Sequence, residues 1–237
     1  MDVYGKALLD FYTTGHAETL WLNNSYGEPE EMPVDVFFRK KNEMPQLELI
    51  AMRMCRGSIL DIGAGAGSHA LALQRDGKDV TAIDVSEGCV EVMKKRKVKK
   101  ALQGDVFRYK GRKFDTLLLL MNGIGLCGTV NGFNDFLRHI PALLAPGGQV
   151  IFDSSDIRYL YDDLDMPASA YYGEISYQYT YKGEKGSWFN WLYLDQDLLK
   201  KLANAAGWNC EILFDDGEDQ FLVQLTLKTD EKEASYL

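Results

Sequence analysis

The chain has 237 residues, 46% hydrophobic and 26% charged, so it is long and apolar enough to bury a core without metal or disulfide staples. Its formal net charge of −9 works against broad nucleic-acid binding, because a phosphate-facing surface needs positive potential. The four cysteines (Cys55, Cys89, Cys127 and Cys210) contain no C-x-x-C pair, and neither a disulfide framework nor a metal site is expected from them.

No apolar stretch approaches the ~18 residues of a membrane span. "MDVYGKALLDFY" lacks the basic and apolar regions of a secretory signal. Together with unpaired thiols these features predict a cytoplasmic protein, with monomer and homodimer equally open. Residues 1–50 read as a mostly helical cap with an irregular middle, "NNSYGEPEEMP", and they are rich in aromatics (Tyr4, Phe11, Tyr12, Trp21, Tyr26, Phe37, Phe38).

The main domain is expected over residues 51–237. "SILDIG" reads as a buried strand and "HALALQRDG" as a helix closed by Gly77. "DVTAID" is a second strand, followed by the helix "SEGCVEVMKKR" with Ser86 as its N-cap. The basic run Lys94–Lys100 suits a solvated helix end, where cations meet the negative pole of the macrodipole. "KKALQGD" and "FDTLLLLMN" are further strands, "VNGFNDFLRHIPALL" a helix, "APGG" a turn and "QVIFDSSD" a fifth strand. Strands that are apolar on both faces and alternate with helices indicate a parallel sheet covered on both sides.

Beyond that point the alternation stops. "EISYQYTYKGEKGSWFNWLYL" reads as a β-hairpin turning at "GEKG", within an insertion of about residues 157–193. "DQDLLKKLANAAGW" is a helix ending at Gly207, and "NCEILFDDG" with "QFLVQLTLK" forms a closing antiparallel pair. The expected class is α/β, a Rossmann-like, doubly wound, mostly parallel seven-stranded sheet with an antiparallel closing strand.

The glycine-rich stretch "SILDIGAGAGSH", Ser58–His69, carries the functional signal. A Gly-rich first βα turn lets a nucleotide-type ligand approach the backbone. The P-loop is excluded, because Ser68-His69 and not Lys-Ser/Thr follow Gly67. The dinucleotide fingerprint G-x-G-x-x-G/A would need its third small residue at Ser68, whereas the third glycine is Gly67. Asp61, two residues before the first glycine, would repel a pyrophosphate but suit a ligand with an α-ammonium group. Asp84, 21 residues after Gly63, can accept from ribose hydroxyls in either case.

Taken in order, "LDIGAGAG", "AIDVS", "QGDVF", "FDTLLLLMNGIG" and "LLAPGGQVIFD" resemble the five motifs of class I S-adenosylmethionine-dependent methyltransferases, over roughly residues 50–155. The chain is similar to the small-molecule enzymes around the ubiquinone/menaquinone-biosynthesis type. The resemblance implies S-adenosylmethionine as cofactor, with S-adenosylhomocysteine as product. It implies that Gly63, Ala64, Gly65 and Gly67 line the methionine moiety, with Asp61 near its amino group. Asp84 would hold the ribose, Val85 would pack on adenine, and Asp105 with Val106 would meet the adenine edge. Asn122 would stand beside the sulfonium and the acceptor.

A sulfonium methyl is already electrophilic, so positioning and exclusion of water are the protein's task, worth ~7–11 kcal/mol of barrier. His16, in the N-terminal segment, and Asn122 are the candidate catalytic residues, and Arg39 is a candidate partner for the cofactor carboxylate. His69 and His139 read as structural. The fourth motif, Met121-Asn122-Gly123-Ile124, lacks the Asp/Asn-Pro-Pro-Tyr/Phe run of nucleic-acid amino-methylating enzymes, and no Pro-Cys dipeptide offers a cytosine nucleophile. These absences favour a small-molecule acceptor. The rival readings are a nicotinamide-dependent oxidoreductase and a non-catalytic S-adenosylmethionine-binding protein.

Overall fold

The computed structural model describes residues 1–162 and 165–228. Its main body is a seven-stranded sheet. The strands are β3 (Ser58–Ile62), β4 (Asp79–Asp84), β5 (Ala101–Gln103), β6 (Phe114–Leu119), β7 (Leu144–Ser155), β11 (Trp208–Asp215) and β12 (Gln220–Leu227). Their spatial order is β11-β12-β7-β6-β3-β4-β5. All neighbours pair in parallel except β12, which runs against both β7 and β11. The order reverses between β3 and β6, and in open α/β sheets ligands bind beyond the carboxyl ends of the strands at such a point.

One face of the sheet carries α2 (Gln46–Met54), α3 (Ser68–Arg75) and α4 (Glu87–Lys95). Ile59, Leu118, Ile151 and Leu222 pack there with Leu47, Ala70 and Met93. The opposite face carries α5 (Val130–His139) and α6 (Gln196–Ala205), and Phe133 and Phe136 of α5 pack there with Leu60, Leu117, Phe152 and Trp208. Each large side chain in these layers contributes roughly 1.5–3 kcal/mol through burial. The helix boundaries follow from local chemistry. The Ser86 hydroxyl accepts the Cys89 N–H at the start of α4, and Asp195 caps α6 by accepting from the Asp197 and Leu198 amides.

The N-terminal segment departs from the helical reading. α1 (Val3–Thr14) is a helix, but β1 (Leu20–Asn24) and β2 (Glu30–Met32) follow it. The reason is the period-2 pattern of "LWL", in which Leu20 and Leu22 are buried and Trp21 is exposed. These strands join β8 (Glu174–Tyr181), β9 (Glu184–Lys185) and β10 (Phe189–Leu192) in a second sheet, ordered β10-β8-β1-β2 with β9 on β8. The two additions expected separately, cap and hairpin, are thus one structure.

The hairpin turn also sits one residue earlier than "GEKG". Tyr181 pairs with Glu184, and the two-residue loop is Lys182-Gly183 with φ of 50° and 76°. Positive φ at both positions is the type I′ geometry that matches strand twist.

Candidate active site

The turn between β3 and α3 is held from within. Gly63, Gly65 and Gly67 have φ of 66°, 55° and 79°, the left-handed region open to glycine. The Gly63 and Ala64 amides donate to the Ile83 carbonyl at 2.9 and 3.2 Å. The Gly65 amide donates to the Asp84 carboxylate at 2.8 Å, and the Gly67 amide to the Ala64 carbonyl at 2.8 Å. A phosphate-binding turn needs free N–H groups aimed at the ligand. Here the Gly63, Ala64, Gly65 and Gly67 amides are spent within the protein, one of them on the Asp84 carboxylate. That arrangement disfavours a pyrophosphate independently of the glycine spacing.

Around this turn stand the other residues expected from sequence. Asp84 is buried at the end of β4, also accepting from the Ser86 amide at 2.8 Å, and burial raises its pKa despite these bonds. Val85 follows it with 68% of its surface open. Asp105 is half-exposed and caps a 3-10 turn through the Phe107 amide at 2.9 Å. Val106 is buried in the core. Asn122 follows β6 at φ 53°, after Met121 at φ 63°. Its amide donates to Asp153 at 2.9 Å, and its side-chain oxygen accepts from the Ser155 hydroxyl at 3.0 Å.

On the α2–α3 side lies a charged cluster that the sequence reading did not assemble. Glu48 of α2 accepts from Arg39 at 2.5 Å and pairs with Nε2 of His69 at 2.7 Å. Burial alone would raise the Glu48 carboxyl, but His69 and Arg39 hold it below its ordinary range. Burial alone would depress His69, yet the Glu48 bond and nearby Asp61 raise it. Glu48 is therefore the centre of a buried charged network, with His69 on one oxygen and Arg39 on the other. Asp61, 2% exposed, is pushed up to about 6 by burial, with His69 pulling the other way.

Among the described residues, three buried side-chain polar atoms have no hydrogen-bond partner: Arg39 Nε, Asp61 Oδ2 and Asp153 Oδ1. Buried polar groups without partners are rare and costly. A guanidinium N–H and a carboxylate oxygen together have the chemistry that complements a zwitterionic amino-acid head.

The second sheet roofs the crevice with aromatics. Tyr4 of α1 lies over the turn, its phenol oxygen 3.3 Å from where a β-carbon at Gly65 would be. Its ring stacks on Tyr179 at 5.1 Å, and Tyr179 on Phe189 at 5.3 Å. Tyr177 and Tyr193 approach through their hydroxyls at 3.3 Å. Trp191 lies so close on Gly125, in the turn after β6, that no β-carbon would fit.

His16 is not brought to this site. It is exposed in the loop after α1, beside a groove of about 950 Å³ shared with Trp21, Glu31 and Thr180. Those three residues are register partners, and they alternate with the inward-facing Leu20, Leu22 and Tyr179. His16 and Asn122 are therefore on different sides of the small sheet.

Residues 37–211 match the family model described as "Methyltransferase domain". The chain is 43% identical to a SAM-dependent methyltransferase from Bacteroides fragilis solved with S-adenosyl-L-homocysteine. The match covers 96% of this chain and 95% of that one, with a TM-score of 0.89. The CcbJ methyltransferase of Streptomyces caelestis shares the fold at 14% identity, 96% and 99% coverage and TM-score 0.65. Streptomyces venezuelae DesVI does so at 18%, with 82% and 96% coverage and TM-score 0.54. No curated protein sequence matches the chain significantly. The motif order, the acids beside the glycine turn and the extent of these matches converge: the chain belongs to the S-adenosylmethionine-dependent methyltransferases.

Proposed function

We propose that this methyltransferase acts on a small neutral or cationic acceptor, an amine in preference to a carboxylate or phosphate. The carrying observation is the chemistry of the wall over the crevice. Its phenols are bonded to carboxylates or to one another: Tyr26 to Glu30 at 2.6 Å, Tyr171 to Asp195 at 2.6 Å, Tyr172 to Asp156 at 2.7 Å, and Tyr177 with Tyr193. Aromatic faces and carboxylates attract positive charge and repel anions. Burial pushes Tyr26, Tyr177 and Tyr193 above their ordinary pKa, so these phenols stay neutral and serve as donors and apolar surfaces, not as bases.

The cofactor roles follow the cluster chemistry. Arg39 takes the carboxylate of the amino-acid head, and Asp61 its ammonium. Asp84 meets the ribose, Val85 the adenine face, and Asp105 and Val106 the adenine edge. The bound cofactor supplies an electrophilic sulfonium methyl, which an acceptor lone pair takes while the carbon–sulfur bonding pair stays on sulfur. The chain's own residues hold and dry the acceptor. Trp191 packs on Gly125 in the turn that bears Asn122, and an ammonium acceptor loses a proton to water before its lone pair can attack. No described helix is long and apolar enough to cross a membrane, and the four cysteines are free. These features support action on metabolites in a reducing, cytoplasmic setting, and the net negative charge supports an acceptor other than nucleic acid.

Ion exchange of a metabolite extract, followed by incubation with methyl-labelled cofactor, tests the acceptor class. Label is expected in the cation-retained or neutral fractions. Label confined to the anion-retained fraction, from a protein that binds S-adenosylhomocysteine, would overturn the acceptor reading alone.

A further inference from the structure

Arg39 stands in an irregular stretch, just after the 3-10 turn Val34–Phe38 and before α2, so no regular element fixes its side chain. The chain leading to it is moored to the glycine turn instead. The Ser68 hydroxyl donates to the Phe37 carbonyl at 2.6 Å. Arg96 donates to the Ala66 carbonyl at 2.8 Å and lies over the Phe38 ring at 4.9 Å. The guanidinium itself is held by Glu48, 4% exposed, which takes one terminal nitrogen and leaves the Nε–H buried and open. A guanidinium has five donors, so this bond still leaves it able to grip a second carboxylate.

An acid beside Arg39 would by itself cancel the charge that a ligand carboxylate needs. His69 removes that conflict. It pairs with the second Glu48 oxygen at 2.7 Å, and the Glu48 bond and nearby Asp61 favour the imidazolium despite burial. Two cations on one carboxylate leave the triad with one positive charge in excess. Asp61, which acts on His69 from β3, carries the matching negative charge. A buried ion pair made only to join α2 to α3 needs one cation for its anion. This one has a second cation, whose Nε–H finds no partner in the protein.

We infer that Glu48 is a positioning residue for the cofactor: it sets the Arg39 guanidinium beside the glycine turn for the carboxylate of the amino-acid head, and His69 keeps it from neutralising that guanidinium. The inference rests on the reading that this head lies against Arg39 and Asp61. Glu48 touches no ligand and acts only through Arg39. Its loss frees the guanidinium to sample other rotamers, and binding must then order that side chain as well.

The probes are S-adenosylhomocysteine, which carries the amino-acid head, and 5′-methylthioadenosine, which keeps the nucleoside and sulfur but lacks the head. Both are titrated calorimetrically into the wild type, Glu48→Gln, Arg39→Gln and the double variant. Glu48→Gln is expected to weaken S-adenosylhomocysteine by about 3- to 30-fold, the span of coupling within one ion network, with methylthioadenosine unchanged. In the double variant the loss should match that of Arg39→Gln alone within about twofold, since Glu48 has nothing left to orient. Equal loss of both ligands in Glu48→Gln would make Glu48 a structural clamp between α2 and α3 and overturn the proposal. Losses that multiply in the double variant would overturn it too. So would wild-type affinity for S-adenosylhomocysteine in Glu48→Gln beside selective loss in Arg39→Gln, a result that leaves the head reading intact. Absence of selective loss in Arg39→Gln would remove that reading and the proposal together. Should Glu48→Gln not fold, His69→Gln keeps an N–H donor for Glu48 and removes the charge. It is expected to weaken S-adenosylhomocysteine selectively, by about threefold or more, and equal loss or none would overturn the proposal.

Discussion

Replacing Asp61 with asparagine should make the ligand-free protein more stable while weakening cofactor binding. The carboxyl is fully buried, and burial lifts it from its ordinary 3.8 to about 6. A group bound more tightly to its proton in the folded state stabilises the fold at low pH. That contribution is complete below about 3.8 and is lost as pH rises through about 6. The difference of roughly two units corresponds to about 3 kcal/mol of penalty at pH 8 for keeping the charge inside.

Asparagine matches the shape and carries no charge, but its amide brings a donor that needs a partner, so a net gain of about 1–3 kcal/mol is expected. For a chain of this size that is a rise of roughly 3–10 °C in Tm. Thermal unfolding at pH 8 and at pH 5, without ligand, measures it. The gain should be largest at pH 8 and fall by about half at pH 5, because the wild type has begun to recover its own stability by protonation. In the same variant S-adenosylhomocysteine should bind at least about tenfold more weakly. A variant no more stable than the wild type at pH 8, or one whose gain is independent of pH, would refute the claim that Asp61 is held charged at a cost for the cofactor's sake.

Gly67→Ala should destabilise the fold by about 2–4 kcal/mol in denaturant titration, because φ is 79° and the new β-carbon would sit 2.9 Å from side-chain atoms of Met93 and Val98. A loss below about 0.5 kcal/mol would mean that the β3–α3 turn relaxes freely. His16→Ala should leave kcat/KM for any identified acceptor within about twofold, since the residue faces the outer groove. A drop of a hundredfold would instead require the loop after α1 to swing across the small sheet during turnover.

The glycine turn and the acids around it were legible in the sequence because these residues obey short-range rules. Three glycines with positive φ, an acid ending β3, an acid ending β4 and a cap before a 3-10 turn each leave a mark within a few positions of their neighbours. The strands of the main sheet were legible for the same reason, as uninterrupted apolar runs between helices. What escaped was long-range pairing. β1 binds β8 through Trp21↔Thr180 and Leu22↔Tyr179, residues separated by more than 150 positions, and the five-residue β1 alone is too short to announce its place beside the hairpin. Glu48 reads as an ordinary surface acid of α2, until the fold sets His69 on one oxygen and Arg39 on the other. Asp153 reads as a strand-end residue until β7 lies beside β6 and presents it to the turn that bears Asn122.

This difference follows the division of labour within the molecule. A cofactor common to many enzymes can be held by a motif local to one βα turn, which any chain of the family can carry unchanged. An acceptor particular to one enzyme is met by surfaces drawn from separate parts of the chain. On the proposed reading those are α1, the β1–β2 strands and the β8–β10 hairpin, joined only by folding. Tyr4 stands where the halves meet: it belongs to the N-terminal addition, yet it lies over Gly65 of the cofactor turn and stacks on Tyr179 of the hairpin. Burial raises its phenol well above the ordinary range, so it stays a neutral donor with an apolar face. Ordering of the acceptor wall is thereby coupled to ordering of the cofactor turn, because one ring is part of both.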